Sequence, residues 1–580
     1  MKRAHVIWLL LSMALIIAVT FSSVFEAGFL YWDDNHNVYE NPRVQDLSGE
    51  NLKWMFTSVG PDIRYKPLTW LAWALIDAGF GQSPRVYHIA NLLLHTLNAW
   101  LLLAVLLKLG RRIRPADGEE SGLLWLAGGV SLLWALHPLR VEPVAWISCL
   151  AHGLCLFFCL LSVLSFVRLD FERSVWKQGN YWLSIIFFLV ALLSFPLPLG
   201  FGAAFLALNI FPLRRVEMTS FRGLFARGNL RVYGELLPYL AVSVLAVSQQ
   251  LYFRWQVQGT FGEAVTMEQF PLVDRVTQAA YVWMHYLWKT VLPLNLSPVD
   301  LVLTKYSGFD WPMLVSSLAL IGIVVMAWCR PGLLALVVAH LGVLVPVLGL
   351  TERPHFPGDR YSHIDGVILM AGLFGWVWAA GPKWRSSLMT VGGIVVGVAL
   401  AAMSFTQSLI WLNDRTLFTH QVDHLDDGAQ RASAMVRLAW SYLEEGDGMR
   451  AVGLFDEAQR THPGYAELDL YLPYGGILEE IGDSRGAARQ YQQAIRLKPG
   501  HAVAWHRLGR IFLREGELDL AAGLLRDAEK HHPHDIALFL TFAEGFLAAG
   551  DKNRATALAK KAAAIDPENP RLKFLQQRLP

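Results

Sequence analysis

Two adjacent carboxylates, Asp33 and Asp34, follow the first hydrophobic run of the chain, Val6–Val24. Neighbouring carboxylates can supply a general base, orient a substrate or bind a divalent cation such as Mg²⁺ or Mn²⁺. The alternative is an exposed pair that caps the helix after it. Lys2 and Arg3 precede the run, so the positive-inside tendency predicts a cytoplasmic N-terminus and places both carboxylates on the outer face of a membrane.

A third acidic candidate, Glu142, lies in the segment HPLRVEPVAW, which runs from His137 to Trp146. Glu142 and His137 fall at a predicted membrane boundary on the same side as Asp33. Glu142 is a candidate ligand for a sugar hydroxyl, and together with Asp34 it is a candidate ligand for a metal ion. The alternative is an acid at a helix N-terminus, where the helix dipole favours a negative charge.

Cationic side chains on the outer side are candidates for binding a phosphate group. Arg64 and Lys66 precede Pro67 in one predicted outer loop, and Arg360 and Tyr361 lie in a later one. A guanidinium offers two parallel N–H donors to a phosphate, which suits it to a lipid-linked phosphate near the membrane plane. The alternative for Arg64 and Lys66 is an ordinary interfacial position.

A stripe of polar residues runs along the second hydrophobic run at spacings of three and four residues. Such spacings put side chains on one helical face, and the members are Tyr87, His88, Asn91, His95 and Asn98. Polar faces inside a membrane usually point into the helix bundle. A helix–helix contact explains Asn98, whereas His88 and Asn91 are predicted to belong to the site near the acidic loop.

The composition predicts a polytopic membrane protein. The chain has 580 residues, of which 54% are hydrophobic and 17% are charged, and its mean hydropathy is +0.35. A net charge of +2 gives no argument for nucleic acid as a partner. About eleven spans are predicted, namely Val6–Val24, Val86–Leu107, Leu123–Leu136, Val144–Val167, Trp182–Leu199, Gly200–Phe211, Leu236–Tyr252, Trp311–Trp328, Leu333–Leu350, Val367–Ala380 and Leu388–Ile410.

Two further apolar segments are predicted to lie in the membrane interface. Val276–Leu292 contains His285 and Lys289, and a lysine inside a spanning helix costs a few kcal/mol. If this segment spans instead, the C-terminal part of the chain moves to the cytoplasm. Lys66–Phe80 combines tryptophans with a lysine at one end, a composition that favours an interfacial helix.

The C-terminal part contains internal repeats. Gly-acidic pairs, prolines and alanines recur at intervals of 34 to 36 residues, the pairs beginning at Gly446, Gly482, Gly516 and Gly550. This period is that of tetratricopeptide repeats, in which pairs of helices stack into a solenoid. Four helical pairs fit between Ala432 and Lys573, and they predict a groove for a peptide or protein partner. The alternative is an assembly platform only.

Several short motifs occur in an order that resembles one family. They are Trp32-Asp33-Asp34, Tyr65-Lys-Pro-Leu, Tyr87-His-Ile-Ala-Asn-Leu-Leu-Leu-His95, the segment His137–Trp146, Asp359-Arg-Tyr361, and Trp411-Leu-Asn-Asp414 before the repeats. The chain looks like the transmembrane and tetratricopeptide-repeat protein O-mannosyltransferases and their bacterial relatives, within the GT-C glycosyltransferase superfamily. This resemblance covers almost the whole chain.

The resemblance implies a transfer reaction with inversion. The donor would be a polyprenyl-phosphate sugar, such as mannose or a similar hexose, and the acceptor a protein hydroxyl on the outer face. Asp33 or Asp34 would be the general base, and the other carboxylate would hold the acceptor. Glu142 matches the acid of the family's His-Pro loop, and Arg360 matches the arginine that meets the donor phosphate.

The chain departs from the family pattern at several charged positions. Leu150 and His152 stand where the family commonly has an arginine and an acid, Phe195 replaces a lysine, and Asn209 replaces an acid. These changes predict either a different lipid-linked sugar or lost activity.

We therefore expect an all-α protein with three parts. Residues 1–412 form a polytopic GT-C-like membrane bundle, 413–431 a linker, and 432–580 a tetratricopeptide-repeat α-solenoid. The expected location is the bacterial inner membrane, with the repeats recruiting a protein acceptor on the periplasmic side. The rival functions are a catalytically degenerate membrane scaffold and a lipid-linked glycan ligase or flippase.

Overall fold

The computed structural model describes residues 3–59, 64–116, 118–216, 225–256, 266–299, 303, 305–350, 355–381, 387–463 and 468–579. Within these ranges the chain forms helices and turns and has no strand, which confirms the all-α prediction. The chain divides into two compact units, Met1–Leu417 and Phe418–Pro580. The division falls inside the segment predicted as a linker, and that segment also contains the helix Asp414–His424.

The first unit is built from helices α1 to α15, and α16 crosses the division between the units. In chain order they are Arg3–Thr20, Gly49–Thr57, Pro67–Phe80, Pro84–Ile113, Glu120–Ala135, Val141–Ala145, Leu150–Phe166, Gly179–Ser194, Gly202–Ile210, Arg227–Gln256, Leu272–Val291, Trp311–Trp328, Pro331–Leu344, Ser362–Ala379, Ser387–Ser408 and Asp414–His424. A single π-helical turn, Asn35–Tyr39, follows the carboxylate pair.

Seven helices in the described ranges are long and apolar enough to cross a membrane, and α5 with α6 can form an eighth that is bent by 64°. The seven are Arg3–Thr20, Pro84–Ile113, Ile147–Phe166, Arg227–Phe253, Trp311–Trp328, Asp359–Ala379 and Met389–Trp411. All eleven predicted spans coincide with helices, but α8, α9 and α13 are shorter than a span. Pro196 and Pro198 separate α8 from α9 because proline cannot continue a helix.

The outer surface of several long helices is apolar. Exposed side chains include Leu11 and Leu15 on α1, Leu318 on α12, and Val395 and Val398 on α15. A protein in water rarely leaves so much apolar surface exposed. The exterior of these helices is therefore suited to contact with lipid.

Helix α11 covers the segment that was predicted to be interfacial, and it is not among the seven. Its polar side faces the protein. His285 is buried, and the Lys289 ammonium donates to the backbone oxygens of Leu294 and Asn295 at 2.9 and 3.0 Å. Trp288 is exposed, so apolar side chains of this helix also face outward.

The segment Lys66–Phe80 forms helix α3 from Pro67 onwards, but its tryptophans are not exposed at an interface. Trp70 and Trp73 are completely buried. Trp70 packs against Trp54 with ring centroids 4.7 Å apart. The expected interfacial position is therefore wrong for these two residues, because helix α2 of the same unit packs against them.

The second unit contains the predicted repeats. Four helix pairs and a terminal helix follow one another as α17 to α25, namely Ala429–Glu444, Gly448–Thr461, Leu468–Glu480, Ser484–Leu497, Ala502–Arg514, Leu518–His531, Ile536–Ala548, Lys552–Ile565 and Pro570–Gln576. The repeated alanines, Ala458, Ala494, Ala528 and Ala562, have no exposed surface. They let the helices of each pair approach closely.

The repeated Gly-acidic pairs form the turns between helices. Gly446, Gly482, Gly516 and Gly550 all have φ between 78° and 86°, a left-handed conformation that favours glycine. The aspartates that follow three of these glycines cap the next helices; for example, Asp483 accepts a hydrogen bond from the backbone N–H of Gly486 at 2.8 Å. The repeat pattern thus has a direct structural cause at each turn.

Candidate functional site

Asp34 is a completely buried carboxylate that joins two distant parts of the chain. Its Oδ1 accepts hydrogen bonds from the backbone N–H of Ser148 at 2.9 Å and from the Ser148 hydroxyl at 2.6 Å. Its Oδ2 accepts a third bond from the N–H of Leu30 at 3.1 Å. Asp34 makes no side-chain capping bond to the π-helical turn. Its role is to fix the acidic loop beside the start of α7.

Asp33 has the opposite environment although it is the adjacent residue. Its side chain is exposed, and its backbone has φ of 74°. Left-handed φ is strained for a residue with a Cβ and is often retained at functional sites. Within the described ranges, no hydrogen bond engages the Asp33 carboxylate. Asp33 is therefore the member of the pair that can meet a substrate.

Burial raises the pKa of Asp34 to about 7, and the hydrogen bonds from Ser148 and Leu30 oppose this shift. The negative charge of Asp33 raises the pKa of Asp34 a little further. Removing a carboxylate from water disfavours its charged form. Asp34 consequently titrates near neutral pH.

A chain of hydrogen bonds connects Asp34 with Lys66. The buried Lys66 ammonium donates to Asn37 Oδ1 at 3.0 Å and lies 5.0 Å from the ring centre of Trp73. Asn37 Nδ2 donates to the Ser148 hydroxyl at 3.2 Å, and that hydroxyl donates to Asp34. Lys66, which was predicted to bind phosphate, thus belongs to the polar network behind the carboxylate pair.

Glu142 and Arg360 form a buried ion pair. Glu142 Oε1 accepts from Arg360 Nη1 at 2.6 Å, and Oε2 accepts from the backbone N–H of Arg360 at 2.7 Å. The Arg360 guanidinium also lies over the rings of Trp146 and Tyr361, at 5.5 and 4.7 Å. The arginine keeps 18% of its side chain exposed. Glu142 therefore positions Arg360, and part of the arginine side chain remains exposed.

Trp146 connects this ion pair to the carboxylate loop. Its indole N–H donates to the backbone oxygen of Trp32 at 3.0 Å, and its ring packs against Trp32 with centroids 5.7 Å apart. Trp411 completes a group of three tryptophans, 6.4 Å from Trp32 and 6.0 Å from Trp146. Since Trp32 precedes Asp33, one indole ring separates the carboxylate loop from Arg360.

Two of the four departures from the family pattern, His152 and Phe195, lie beside Tyr361. The His152 ring packs on Phe195 with centroids 4.4 Å apart and lies 6.2 Å from the Tyr361 ring. Arg64 lies over the Phe195 ring, with its guanidinium carbon 5.4 Å from the ring centre. Both ring nitrogens of His152 are buried and have no hydrogen-bond partner within the described ranges. A buried unpaired imidazole is costly, so His152 is well placed to bind a ligand.

Leu150 and Asn209 play other parts. Leu150 is buried in the apolar cluster that contains Trp70 and Trp73. Asn209 bonds locally, donating to the Phe205 oxygen and accepting from Arg215. Of the four departures, His152 and Phe195 contact Tyr361 and Arg64, two of the predicted donor-binding residues.

The polar side chains of the stripe on α4 form hydrogen bonds to backbone oxygens of other segments and do not line the site. His88 bonds to the oxygen of Gly28, Asn91 to that of Trp146, His95 to that of Ala135 and Asn98 to that of Gly153, all at 3.0 to 3.1 Å. His137 bonds in the same way to the Thr290 oxygen at 3.0 Å. His88, Asn91 and His137 were predicted as site residues, and the structure places them as supports of the loops that carry it.

Sequence reasoning missed Asn37, Ser148, Trp32 and Trp411 as parts of the site. Trp32 and Trp411 do lie in motifs that carried the resemblance, which was the available signal. Asn37 and Ser148 had none, because small polar residues in loops are common. Their importance depends on contacts between residues more than a hundred positions apart.

The sequence is similar to those of several known proteins. A tetratricopeptide repeat family matches residues 477–536. The mouse protein O-mannosyl-transferase TMTC4 is 25% identical over 413 residues, which cover 62% of this chain and 53% of the mouse protein. The human protein O-mannosyl-transferase TMTC2 is 33% identical over 170 residues, covering 27% of this chain and 18% of its own.

The chain spans about half the length of the TMTC4 proteins that it matches. Among solved structures, that of YrrB, a TPR protein with an unusual peptide-binding site, covers 34% of this chain and 94% of its own, at a TM-score of 0.25 and 16% identity. The predicted resemblance to the TMTC-like O-mannosyltransferases is confirmed by the sequence matches.

Proposed function

We propose that the protein is a membrane glycosyltransferase that moves a mannose or similar hexose from a polyprenyl-phosphate donor to a protein hydroxyl. The observation that supports this most is the contrast within the carboxylate pair: Asp34 is locked to Ser148, while Asp33 is exposed next to it. The similarity to protein O-mannosyl-transferases supports the reaction class.

Asp33 is the general base of the proposed reaction. It accepts the proton of the acceptor hydroxyl as the acceptor oxygen bonds to the anomeric carbon of the sugar. The bond from that carbon to the phosphate oxygen breaks, the phosphate leaves with the bonding electrons, and the configuration at carbon inverts. Asp34 cannot take this part without movement, because its two oxygens are buried and accept three hydrogen bonds.

Arg360, Tyr361, Arg64 and His152 form the proposed binding site for the donor phosphate. Fixed cations and hydrogen-bond donors stabilise the charge that develops on a leaving phosphate. Glu142 holds Arg360 through both of its oxygens. His152 offers a ring nitrogen that lacks a protein partner in the described part of the chain.

The proposed mechanism runs no step through a divalent cation. Asp34 and Glu142 were the candidate ligands, yet the oxygens of Asp34 are occupied by Ser148 and Leu30, and those of Glu142 by Arg360. This donor set does not fit a cation that needs several free oxygen ligands. Within the described ranges, no three acidic, histidine or cysteine side chains group together as metal ligands.

The proposed setting is the outer face of a bacterial inner membrane. The cationic N-terminus before α1 supports a periplasmic position for Asp33. The repeats would then stand on the same side and recruit the protein acceptor. A lipid-linked donor suits a site whose surrounding helices have apolar outer surfaces.

One observation favours the rival function, a degenerate membrane scaffold. His152 and Phe195 pack ring on ring where the family has charged residues. In that case the carboxylate loop and the ion pair would serve only to hold the bundle together.

Sugar transfer from radiolabelled polyprenyl-phosphate mannose to membrane proteins tests the proposal. Loss of a general base typically slows a reaction about 10²–10⁴-fold, so we expect a loss of that size in Asp33→Asn and a smaller loss in Asp34→Asn. Glu172→Gln removes an exposed acid elsewhere and is the matched control. Equal activity of wild type and Asp33→Asn would refute the base assignment, and no activity in any protein would favour the scaffold.

A further inference from the structure

A groove in the repeat unit lies between the first helices of two successive pairs, α21 and α23. It has a volume of about 950 Å³. Its floor contains Leu513, Leu518 and Gly545, while Arg510 and Arg514 lie on the α21 side. A side chain at Gly545 would collide with Leu513, because its Cβ would come within 2.4 Å of that residue. The glycine lets α21 and α23 pack closely at the floor of the groove.

Three arginines on α21 share a single acidic partner. Arg507, Arg510 and Arg514 lie on one helical face because they are three and four residues apart. Their guanidinium nitrogens approach Glu479 at 3.5, 4.0 and 3.6 Å. The Glu479 side chain is 8% exposed, whereas the arginines are 44%, 56% and 51% exposed.

One carboxylate cannot neutralise three guanidinium groups. Glu479 also accepts a hydrogen bond from the Tyr491 hydroxyl at 3.3 Å. On the other side of the groove, Arg571 and Glu544 neutralise each other through two hydrogen bonds of 2.8 and 3.3 Å. The groove therefore carries excess positive charge, and this charge is concentrated on α21 above an apolar floor.

We propose that this groove binds an extended acidic segment of a partner protein, in which acidic and apolar side chains alternate. Arg510 and Arg514 are separated by about 6 Å along the helix axis. Alternate side chains of an extended peptide are separated by about 6.6 Å, so two successive carboxylates on one side of the peptide match the two arginines. Each guanidinium can bind a carboxylate through two parallel hydrogen bonds.

This proposal names the chemistry of the partner protein, which the proposed transferase function leaves open. The proposal does not depend on that function. Apolar side chains on the other side of the peptide would rest on Leu513 and Leu518. If the transferase proposal is also correct, acceptor proteins would carry acidic segments near their modified hydroxyls. If the transferase proposal fails, acidic segments still bind here.

Fluorescence anisotropy with the full chain in detergent tests the proposal without any sugar donor. The probe is a fluorescein-labelled peptide in which glutamate alternates with leucine, and its counterpart carries glutamine in place of glutamate. We expect saturable binding of the glutamate peptide that weakens with added salt. The double variant Arg510→Gln/Arg514→Gln should bind at least tenfold more weakly, and Arg526→Gln, an exposed arginine on α22, should bind like wild type.

Lysine variants keep the test decisive if the glutamine variant unfolds. Arg510→Lys/Arg514→Lys retains the charge but loses the paired hydrogen bonds, so we expect intermediate affinity with wild-type melting behaviour. Equal binding of both peptides, or full binding by the folded double variant, would overturn the proposal. Displacement of the peptide by phosphatidylglycerol vesicles, with the vesicles binding more tightly, would show a lipid surface to be the partner and would also overturn it.

The Asp33→Asn protein separates this proposal from the transferase proposal. It should bind the glutamate peptide like wild type, since Asp33 lies in the first unit and the groove in the second. Loss of transfer with retained peptide binding would support both proposals. Loss of peptide binding in Asp33→Asn would contradict the assignment of the groove.

Discussion

At the scale of single residues, the adjacent Asp33 and Asp34 have different roles because the backbone turns between them. The left-handed conformation of Asp33 directs its side chain to the surface, while Asp34 enters the protein and binds the start of α7. Sequence reasoning left open which residue is the base. The burial and hydrogen bonding of Asp34, together with the exposure of Asp33, favour Asp33 as the base.

The raised pKa of Asp34 makes a prediction about stability. Its carboxyl holds a proton up to a pH of about 7 in the folded protein but ionises at its ordinary, lower pKa when unfolded. The unfolding free energy should therefore fall as the pH rises from about 4 to 7, by on the order of 1 kcal/mol per pH unit. Thermal melting in detergent across this range measures the fall, and the Asp34→Asn protein should show a flatter profile.

Ser148 provides the internal control for that measurement. Its hydrogen bonds lower the pKa of Asp34, so Ser148→Ala should move the titration to higher pH. Ser131→Ala is a matched change, because Ser131 is also buried and its hydroxyl donates to Ala127 of its own helix. A pH profile that is the same in wild type and Asp34→Asn would contradict the assigned titration.

At the scale of elements, the helices place the site chiefly through bonds to backbone. Polar residues on α4 hold the loops around Gly28 and Trp146, which carry Asp33 and Glu142. The periodic stripe predicted a shared face correctly. It could not show whether that face meets a ligand or a neighbouring carbonyl, since both uses need the same residue types.

The crossing between the α8–α9 connection and α13 makes a second prediction. A Cβ at Gly200 would lie 1.7 Å from the backbone oxygen of Gly342, and one at Gly342 would lie 2.2 Å from the Cβ of Ala203. Backbone has to move to admit either methyl group, so Gly200→Ala should cost about 1–3 kcal/mol or more of stability. Melting temperature checks this cost.

Gly202 is the matched control for that substitution. It lies two residues away, and a Cβ there meets nothing within 4 Å. Gly202→Ala should therefore melt like wild type or slightly above it, since alanine favours a helix. Equal melting of the Gly200→Ala protein would show that the helices do not approach as closely as described.

At the scale of the whole molecule, sidedness decides whether the two units can cooperate. The transferase proposal needs the repeats on the same side of the membrane as Asp33. A reporter enzyme fused after Ile410 should therefore be active only on the periplasmic side, as should one fused after the first helix at Ala27. A cytoplasmic result for the first fusion would contradict the shared-side arrangement.

Helix α11 is the element on which this topology depends. The Lys289 ammonium donates to two carbonyls just beyond the C-terminal end of the helix, and Trp288 is exposed. A cysteine introduced at the exposed Trp288 would report its environment through labelling by a water-soluble maleimide. The reporter fusion after Ile410 tests independently whether the number of membrane spans before it is odd or even.

The sequence by itself determined the all-α class, the four repeat pairs and the candidates Asp33, Asp34, Glu142 and Arg360. These features follow from local patterns, namely helical periodicity, glycine at left-handed turns, and short motifs whose shared order is unlikely to arise by chance. Whether a segment forms a helix depends largely on residues close to it in the chain, and the periodic pattern of the sequence shows those residues directly.

Only the tertiary structure decided what each polar residue does. Asp34 meets Ser148, Lys66 meets Asn37 and Glu142 meets Arg360 across long separations in sequence, and no local pattern encodes such a meeting. The same reason explains why the buried tryptophans of α3 and the basic groove on α21 became visible only in three dimensions. Burial and partner identity are properties of packed elements, and they set the charge and reach of every side chain in the site.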